Sequence, residues 1–386
     1  MFLDRLIETN RPLAELALAW EADGTILPDT YLVDLDMILR NASVMKEAAD
    51  GAGIALYFML KQLGRNPLLG RRLSGLGLAG AVCVDFREAL VMAEAGVPLG
   101  NVGHLVQTPR AALGCILAAR PEVMTVYSVE KAAEIGAEAE HQGFVQPIML
   151  RVLGPNDTLY SGQYGGFALG GLDRTVDAIE KVAGVRIAGV CSFPCLLFSD
   201  DTDELEPQPN AQTVREAAEL LEARGYEGLQ LNMPSASCTH AVPIVAALGG
   251  THMEPGHGLS GTTPYHATHP HEPEGVAYAY VSEVSHGLDS VSYCYGGGHY
   301  RRSHLEHALV GRSLETAQRV HVTPPTDESI DYHFELSEPA AVGEPVLMCF
   351  RTQLFVTRSE VVVASGLSEG KPHLEGVFDT QGRRLG

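Results

Sequence analysis

The chain is short of positive charge. It has 27 basic residues against 48 acidic ones in 386, a formal net charge of −21. Such a surface repels polyanions, so nucleic acid and anionic membranes are disfavoured as partners, although a small anionic ligand in a local basic pocket is not. Long apolar runs are also missing, and no stretch would span a bilayer. The first thirty residues contain Asp4, Glu8, Glu15, Glu21 and Asp23, which leaves no visible secretory leader. Cysteine is sparse, odd in number and scattered: seven residues, of which Cys191 and Cys195 lie closest. A C-x3-C pair with no second pair is a poor metal signature, so we expect reduced thiols, a cytoplasmic protein and no metal. Internal repeats and low-complexity tracts are absent as well.

What is present is alternation. A first strand is expected over Thr30 to Asp36, followed by a helix near Ile38 to Ala49. Apolar, strand-like runs follow near 54–60, 81–85, 102–106, 123–127, 146–152, 186–192, 228–232 and 251–254. Amphipathic stretches separate them, among them Thr108 to Ala119, Ser128 to His141, Leu172 to Val182, Ala211 to Arg224 and Ala236 to Leu248. In Thr108-Pro109 we read a capping hydroxyl and a Pro in the first turn. Eight strands alternating with helices predict a parallel (β/α)8 TIM barrel. After about residue 275 the helical stretches give way to strand-like runs such as Val276 to Val284, Leu288 to Tyr295, Tyr332 to Leu336, Pro345 to Phe350 and Leu354 to Ala364. The expected organisation is a barrel over 29–275 and a β-rich C-terminal domain formed by 276–386 with the helical segment 1–28.

A barrel of this kind places its chemistry at the C-terminal ends of its strands. Lys61 ends the first apolar run, where burial favours the neutral, nucleophilic amine. Arg151 lies on the fifth run, Ser192-Phe193 ends the sixth, and Asn232-Met233-Pro234-Ser235 ends the seventh. The eighth ends in Glu254-Pro255-Gly256-His257-Gly258-Leu259-Ser260-Gly261. Glycines let backbone N–H groups approach an anion, usually phosphate. Gly256-x-Gly258-x-x-Gly261 and Gly75-x-Gly77-x-x-Gly80 both match a dinucleotide fingerprint in form. Neither has the strand before it and helix after it that a dinucleotide site needs, and we read Gly75 to Gly80 as a helix-to-strand turn. An amine, a phosphate cradle and an acid together are what pyridoxal phosphate (PLP) requires.

The chain resembles the fold-type III PLP enzymes, the alanine racemase and ornithine decarboxylase superfamily, over nearly its whole length. Tyr31-Leu32-Val33-Asp34-Leu35-Asp36 looks like that family's opening strand, and Phe58-Met59-Leu60-Lys61 like its Schiff-base lysine motif. The patterns FxxKQxGxNP and EPGHGLxGTTP resemble those of the YhfX-like group. The resemblance implies that Lys61 binds PLP as an internal aldimine and that Glu254 contacts the pyridine nitrogen. Glutamate at that position is the decarboxylase pattern, whereas racemases carry Arg. It further implies a phosphate cradle from Gly256, His257 and Gly258, with Ser235 in the place of the family's phosphate-binding Ser and Asn232 beside it. Arg65 falls where racemases carry a Tyr that touches the phosphate. Arg151 resembles the Arg at the phenolic oxygen, and Phe193 stands near the position of a ring-stacking His.

For a second acid/base, Ser292-Tyr293-Cys294-Tyr295-Gly296-Gly297-Gly298 resembles the racemase GYADG-type motif, with Gly297 replacing its Asp. Tyr295 aligns with the Tyr that reaches the partner's site, and Cys294 is the alternative. The leading expectation is an amino-acid racemase using Lys61 and Tyr295 on opposite faces of a small amino-acid substrate, in a head-to-tail homodimer. A decarboxylase is the next reading, although the family's CxxxD-like motif lacks its Asp here. A D-amino-acid lyase would use a C-terminal His-x-Cys or His-x-Asp metal pair, which the chain does not have. His266, His269 and His271 read as a flexible polar loop, or in a remoter reading as ligands of a PLP-free metal hydrolase. The non-enzymatic reading is a PLP-homeostasis protein, against which the β-rich C-terminal domain argues.

Overall fold

The structure is a computed structural model and describes residues 1–296, 298–354 and 357–386. The chain forms two compact units, one of Ser43–Leu60 with Pro67–Gly256, the other of Met1–Ala42, Lys61–Asn66 and His257–Gly386. Gly297, at the position of the racemase motif's Asp, lies outside the described residues.

The first unit is the TIM-like barrel. Its parallel strands are Ala55–Leu56, Ala81–Cys83, Leu99–Val102, Val123–Val126, Gln146–Leu153, Val185–Cys191, Gln230–Asn232 and His252–Met253. From the second onward each pairs with the next in chain order, the last returns to the first, and a parallel bridge between Phe58 and Ala81 closes the ring between the first and second. The strands form because their side chains are apolar on both faces, one toward the barrel interior and one toward the surrounding helices. Tyr57, Met59, Val82 and Val84 pack as one interior cluster, and Val123, Met149, Ala188 and Cys191 as another. Gly100 is required beside the first of these, since a Cβ there would run into the Tyr57 ring.

Local chemistry sets the helix starts. Ser128 Oγ accepts from Lys131 N at 3.1 Å and caps Val129–His141, and Asp85 Oδ1 accepts from Glu88 N at 2.9 Å and caps Phe86–Glu94. The expected Thr108 cap does not form. Helix Arg110–Ala118 has Pro109 in the cap position without a side-chain cap, and the Thr108 hydroxyl is buried without a hydrogen-bond partner among the described residues. The third strand also lies earlier than expected, at Leu99–Val102 rather than 102–106. The turn between helix Pro67–Ser74 and strand Ala81–Cys83 falls where Gly75 to Gly80 predicted it, with Gly77 and Gly80 at positive φ.

The second unit is mainly antiparallel. Strands Tyr278–Leu288, Val291–Tyr295, His333–Leu336, Gln318–Thr323, His307–Val310 and Pro345–Met348 close into a ring, because the long strand Tyr278–Leu288 pairs with Pro345–Met348 along one half and Val291–Tyr295 along the other. Thr30–Asp34 joins this sheet between Tyr278–Leu288 and Glu360–Ser365, followed by edge strand His373–Asp379. The early strand ends at Asp34, whose Oδ1 accepts from Asp36 N and Met37 N and starts helix Leu35–Ala52. His266 departs from the polar loop expected over His266, His269 and His271: it is buried in helix Pro264–Thr268, Nδ1 2.6 Å from Thr263 Oγ1 and Nε2 3.2 Å from Glu274, whereas half-buried His269 and exposed His271 follow the helix outside any helix or strand. Among the described residues no helix is long and apolar enough to cross a membrane.

Candidate active site

In the barrel unit, buried polar side chains gather at the strand ends. Glu254 follows strand His252–Met253, and Asn232 ends the neighbouring strand. Asn232 Nδ2 donates to Glu254 Oε1 at 2.5 Å, and Asn101 Nδ2 from strand Leu99–Val102 donates to the same oxygen at 2.9 Å. Thr125 Oγ1 donates to Asn101 Oδ1 at 2.7 Å. All four residues are buried. The other oxygen, Glu254 Oε2, has no hydrogen-bond partner among the described residues, and His104 Nε2 lies 3.9 Å away. A buried, unsatisfied polar atom costs about 1–3 kcal/mol and more when charged, so this oxygen calls for a donor.

Elsewhere in the barrel unit, Arg151 is fully buried on strand Gln146–Leu153. Nη1 donates to Tyr127 Oη at 2.9 Å and Nη2 to the Gln163 carbonyl at 2.8 Å, while Nε has no hydrogen-bond partner among the described residues. Tyr127 in turn donates to the His104 carbonyl. The His104 ring meets Phe193 edge-on at 5.5 Å, and Tyr160 lies 5.6 Å from Phe193 on a tilted plane. Ser235, after the Asn232 strand, is half-buried at φ 96°, followed by Ala236 at φ 48°. Two successive non-glycine residues at positive φ mark a strained loop. Gly256 is buried at the end of the unit.

In the other unit, Lys61 opens a short turn, Lys61–Leu63, and is half-buried. The Gln62 carbonyl accepts from Thr352 Oγ1 at 2.6 Å. Gly64, at φ 70°, needs its missing side chain, since a Cβ would meet Val361 Cγ2 at 2.7 Å. Arg65, at φ 50° and buried, donates through Nη1 to Gln381 Oε1. His257 Nε2 lies 3.0 Å from the Thr352 carbonyl and so carries its proton on that nitrogen. Burial, reinforced by the positive charges of Arg351 and Lys61, holds this imidazole well below its ordinary pKa, which makes it neutral. Gly258, also buried, accepts from Gly261 N at 3.1 Å, and the His257 carbonyl accepts from Thr262 N at 2.9 Å, which folds the glycine-rich segment into a tight turn.

Tyr295 is at the end of strand Val291–Tyr295 with its side chain exposed, 6.0 Å from the His333 ring, while its carbonyl accepts from Ser282 Oγ at 2.6 Å. Cys294 faces the other way and is buried, its thiol pushed up to about 12 chiefly by that burial. At neutral pH such a thiol is a poor proton donor or acceptor.

The barrel unit thus brings Asn232 to Glu254 and sets His104 against Phe193. The second unit links the Lys61 turn and the His257 turn through Thr352. Sequence reasoning passed over Asn101, His104, Thr125, Tyr127 and Thr352. Asn101 and Thr125 sit in strands, and their place near the strand ends was the available signal. Among the described residues, no group of three or more His, Cys, Asp or Glu side chains is placed to hold a metal ion.

Comparison with known proteins agrees with the architecture. Residues 33–264 match the family model described as alanine racemase, N-terminal domain, and residues 279–374 match the YhfX-like C-terminal domain. The chain is 41% identical over 387 residues to the YhfX protein of Escherichia coli (strain K12), covering 100% of each. An alanine racemase of Clostridium difficile 630 in complex with cycloserine has a TM-score of 0.66 at 14% identity, covering 91% of this chain and 98% of that one. A D-threonine aldolase from Filomicrobium marinum gives 0.64 at 15%, covering 94% and 96%. A diaminopimelate decarboxylase from M. jannaschii gives 0.64 at 15%, covering 93% and 90%. At these identities the solved structures show a shared fold and differ in reaction.

Proposed function

The chain belongs to the alanine racemase N-terminal-domain family, with a YhfX-like C-terminal domain, and from that premise we propose that it is a PLP-dependent amino-acid racemase. The observation that carries the cofactor is the Glu254 carboxylate, buried with two amide donors on Oε1 and no hydrogen-bond partner on Oε2 among the described residues. A protonated pyridine nitrogen is the donor that such an oxygen fits. Arg151 Nε is a second buried donor with no hydrogen-bond partner among the described residues, as a group facing a phenolic oxygen would be.

On this reading Lys61 supplies the amine, Glu254 with Asn232 grips the ring nitrogen, and Arg151 and Phe193 line the ring. Gly256, His257, Gly258, Ser235 and Arg65 hold the phosphate. When bound, PLP supplies an electrophilic aldehyde and a sink for the electron pair left at the substrate's α-carbon. Lys61 Nζ then removes or returns the α-proton on one face, and Tyr295 Oη does so on the other. The exposed Tyr295 suits a role in the site of a second subunit, consistent with a head-to-tail homodimer. The buried Cys294 thiol does not suit the second role. Seven free thiols fit a reducing cytoplasm.

A decarboxylase is the second reading, favoured by Glu254 in place of the racemases' Arg. The test is a screen of single amino-acid enantiomers in heavy water with PLP. Deuterium incorporation with appearance of the opposite enantiomer supports racemisation. Carbon dioxide release supports decarboxylation, and neither product from any amino acid defeats the racemase assignment.

A further inference from the structure

We infer that Asn101 and Thr125 are positioning residues that set the rotation of the Glu254 carboxylate and so decide which of its oxygens is offered to the cofactor ring. The inference deepens the PLP reading and rests on it. Its grounds are a directed chain of two buried hydrogen bonds, Thr125 to Asn101 to Glu254, with a third from Asn232 converging on the same carboxylate oxygen.

The direction follows from donor chemistry. The Glu254 carboxylate accepts, so its Oε1 takes the Asn101 amide nitrogen at 2.9 Å, which turns Asn101 Oδ1 to the opposite side, where the Thr125 hydroxyl donates to it at 2.7 Å. With the amide flipped, an oxygen would face the carboxylate and both would lack a proton. Asn232 reaches the same Oε1 from the strand beside Glu254, whereas Asn101 reaches it from a strand that is not adjacent. Two donors from different sides fix the carboxylate plane. One oxygen is thereby saturated, and Oε2 is left for a further donor.

A competing partner makes this positioning matter. His104 Nε2 lies 3.9 Å from Oε2, beyond a hydrogen bond but within a small rotation of one. Without the Asn101 amide the carboxylate can turn toward the imidazole and spend its charge there. The ring nitrogen would then lose the partner that keeps it protonated. Low local dielectric raises the stakes, since every member of the network is buried.

The experiment loads the full-length protein with PLP labelled with 15N in the ring and records the ring-nitrogen chemical shift, with borohydride trapping on Lys61 as the loading control. Wild type should show a protonated ring nitrogen. Asn101→Ala should load Lys61 yet move the signal toward the unprotonated value, and should weaken PLP affinity about tenfold, the scale of one charge-assisted hydrogen bond. Thr125→Val, nearly isosteric, should shift the signal the same way by less, and Thr125→Ser should restore it. A folded, loaded Asn101→Ala with the wild-type signal overturns the positioning role and leaves the PLP reading standing. A wild-type protein that does not load overturns both. If Asn101→Ala fails to fold, the Thr125→Val and Thr125→Ser pair decides, and equal signals from the two would reject the inference.

Discussion

Glu21 lets the pH response of the fold be worked out in advance. It is buried on helix Arg11–Ala22 against Glu283 of strand Tyr278–Leu288, and its Oε2 has no hydrogen-bond partner among the described residues. Burial first, and then the negative charge of Glu283, push its carboxyl up to about 7, with Arg312 opposing. The folded protein therefore binds a proton that the unfolded chain releases above its ordinary value, near about 4.3. That contribution to stability is complete below the unfolded value and is lost as pH rises through about 7. At about 1.4 kcal/mol per pH unit the ceiling is roughly 3–4 kcal/mol. Screening by solvent at the half-buried Glu283 brings the expected figure to about 1–2 kcal/mol.

Glu21→Gln keeps a neutral donor beside Glu283 and removes the titration. The variant should gain about 1–2 kcal/mol relative to wild type between pH 5 and 8.5, or roughly 3–6 °C in melting temperature for a unit of this size. Melting curves of both proteins across that range read the difference. Parallel stability profiles, with no gain for the variant at high pH, would refute the assignment of this proton to Glu21.

Arg151→Lys should destabilise the protein by about 2–3 kcal/mol in denaturant titration, because an ammonium cannot span Tyr127 and the Gln163 carbonyl as the guanidinium fork does. Faster amide exchange in 160–166 should accompany it, and unchanged exchange would sever the link to that loop. Of the seven cysteines only Cys115 is exposed, and burial raises the thiols of Cys191, Cys195, Cys294 and Cys349. Iodoacetamide at pH 8 should label one site quickly in the native protein and seven after denaturation, as counted by mass spectrometry. At strand His252–Met253, burial lowers His252 to about 4, so stability tied to this group is present above the unfolded value near about 6.5 and is lost as pH falls toward 4. His252→Gln should flatten the acid limb of the stability profile, and an unchanged limb would assign that loss elsewhere.

The barrel was legible because its strands are short apolar runs separated by amphipathic helices, a pattern that periodicity reads well. The third strand was misplaced because Gly100 and Asn101 interrupt Leu99–Val102, whereas His104-Leu105-Val106 resembles a strand but forms a turn. Periodicity recognises a strand without naming its partners, so it could not tell that Thr30–Asp34 pairs with Tyr278–Leu288. Strand Gln318–Thr323 escaped notice because it buries only Val320 and Val322. In the candidate site, Glu254 and Asn232 stood out through motif and strand end. Asn101 and Thr125 did not, because their meaning comes from hydrogen bonds between strands far apart in the chain. Thr108 had the chemistry of a helix cap, but its hydroxyl was buried instead.

The most direct test of the central claim is to incubate the purified protein with PLP, record the visible spectrum before and after borohydride, and map the reduced adduct by mass spectrometry. The account predicts a coloured protein whose absorbance is lost on reduction, with the pyridoxyl group on Lys61 and none in Lys61→Ala. A colourless protein without an adduct, or an adduct confined to other lysines, would contradict it.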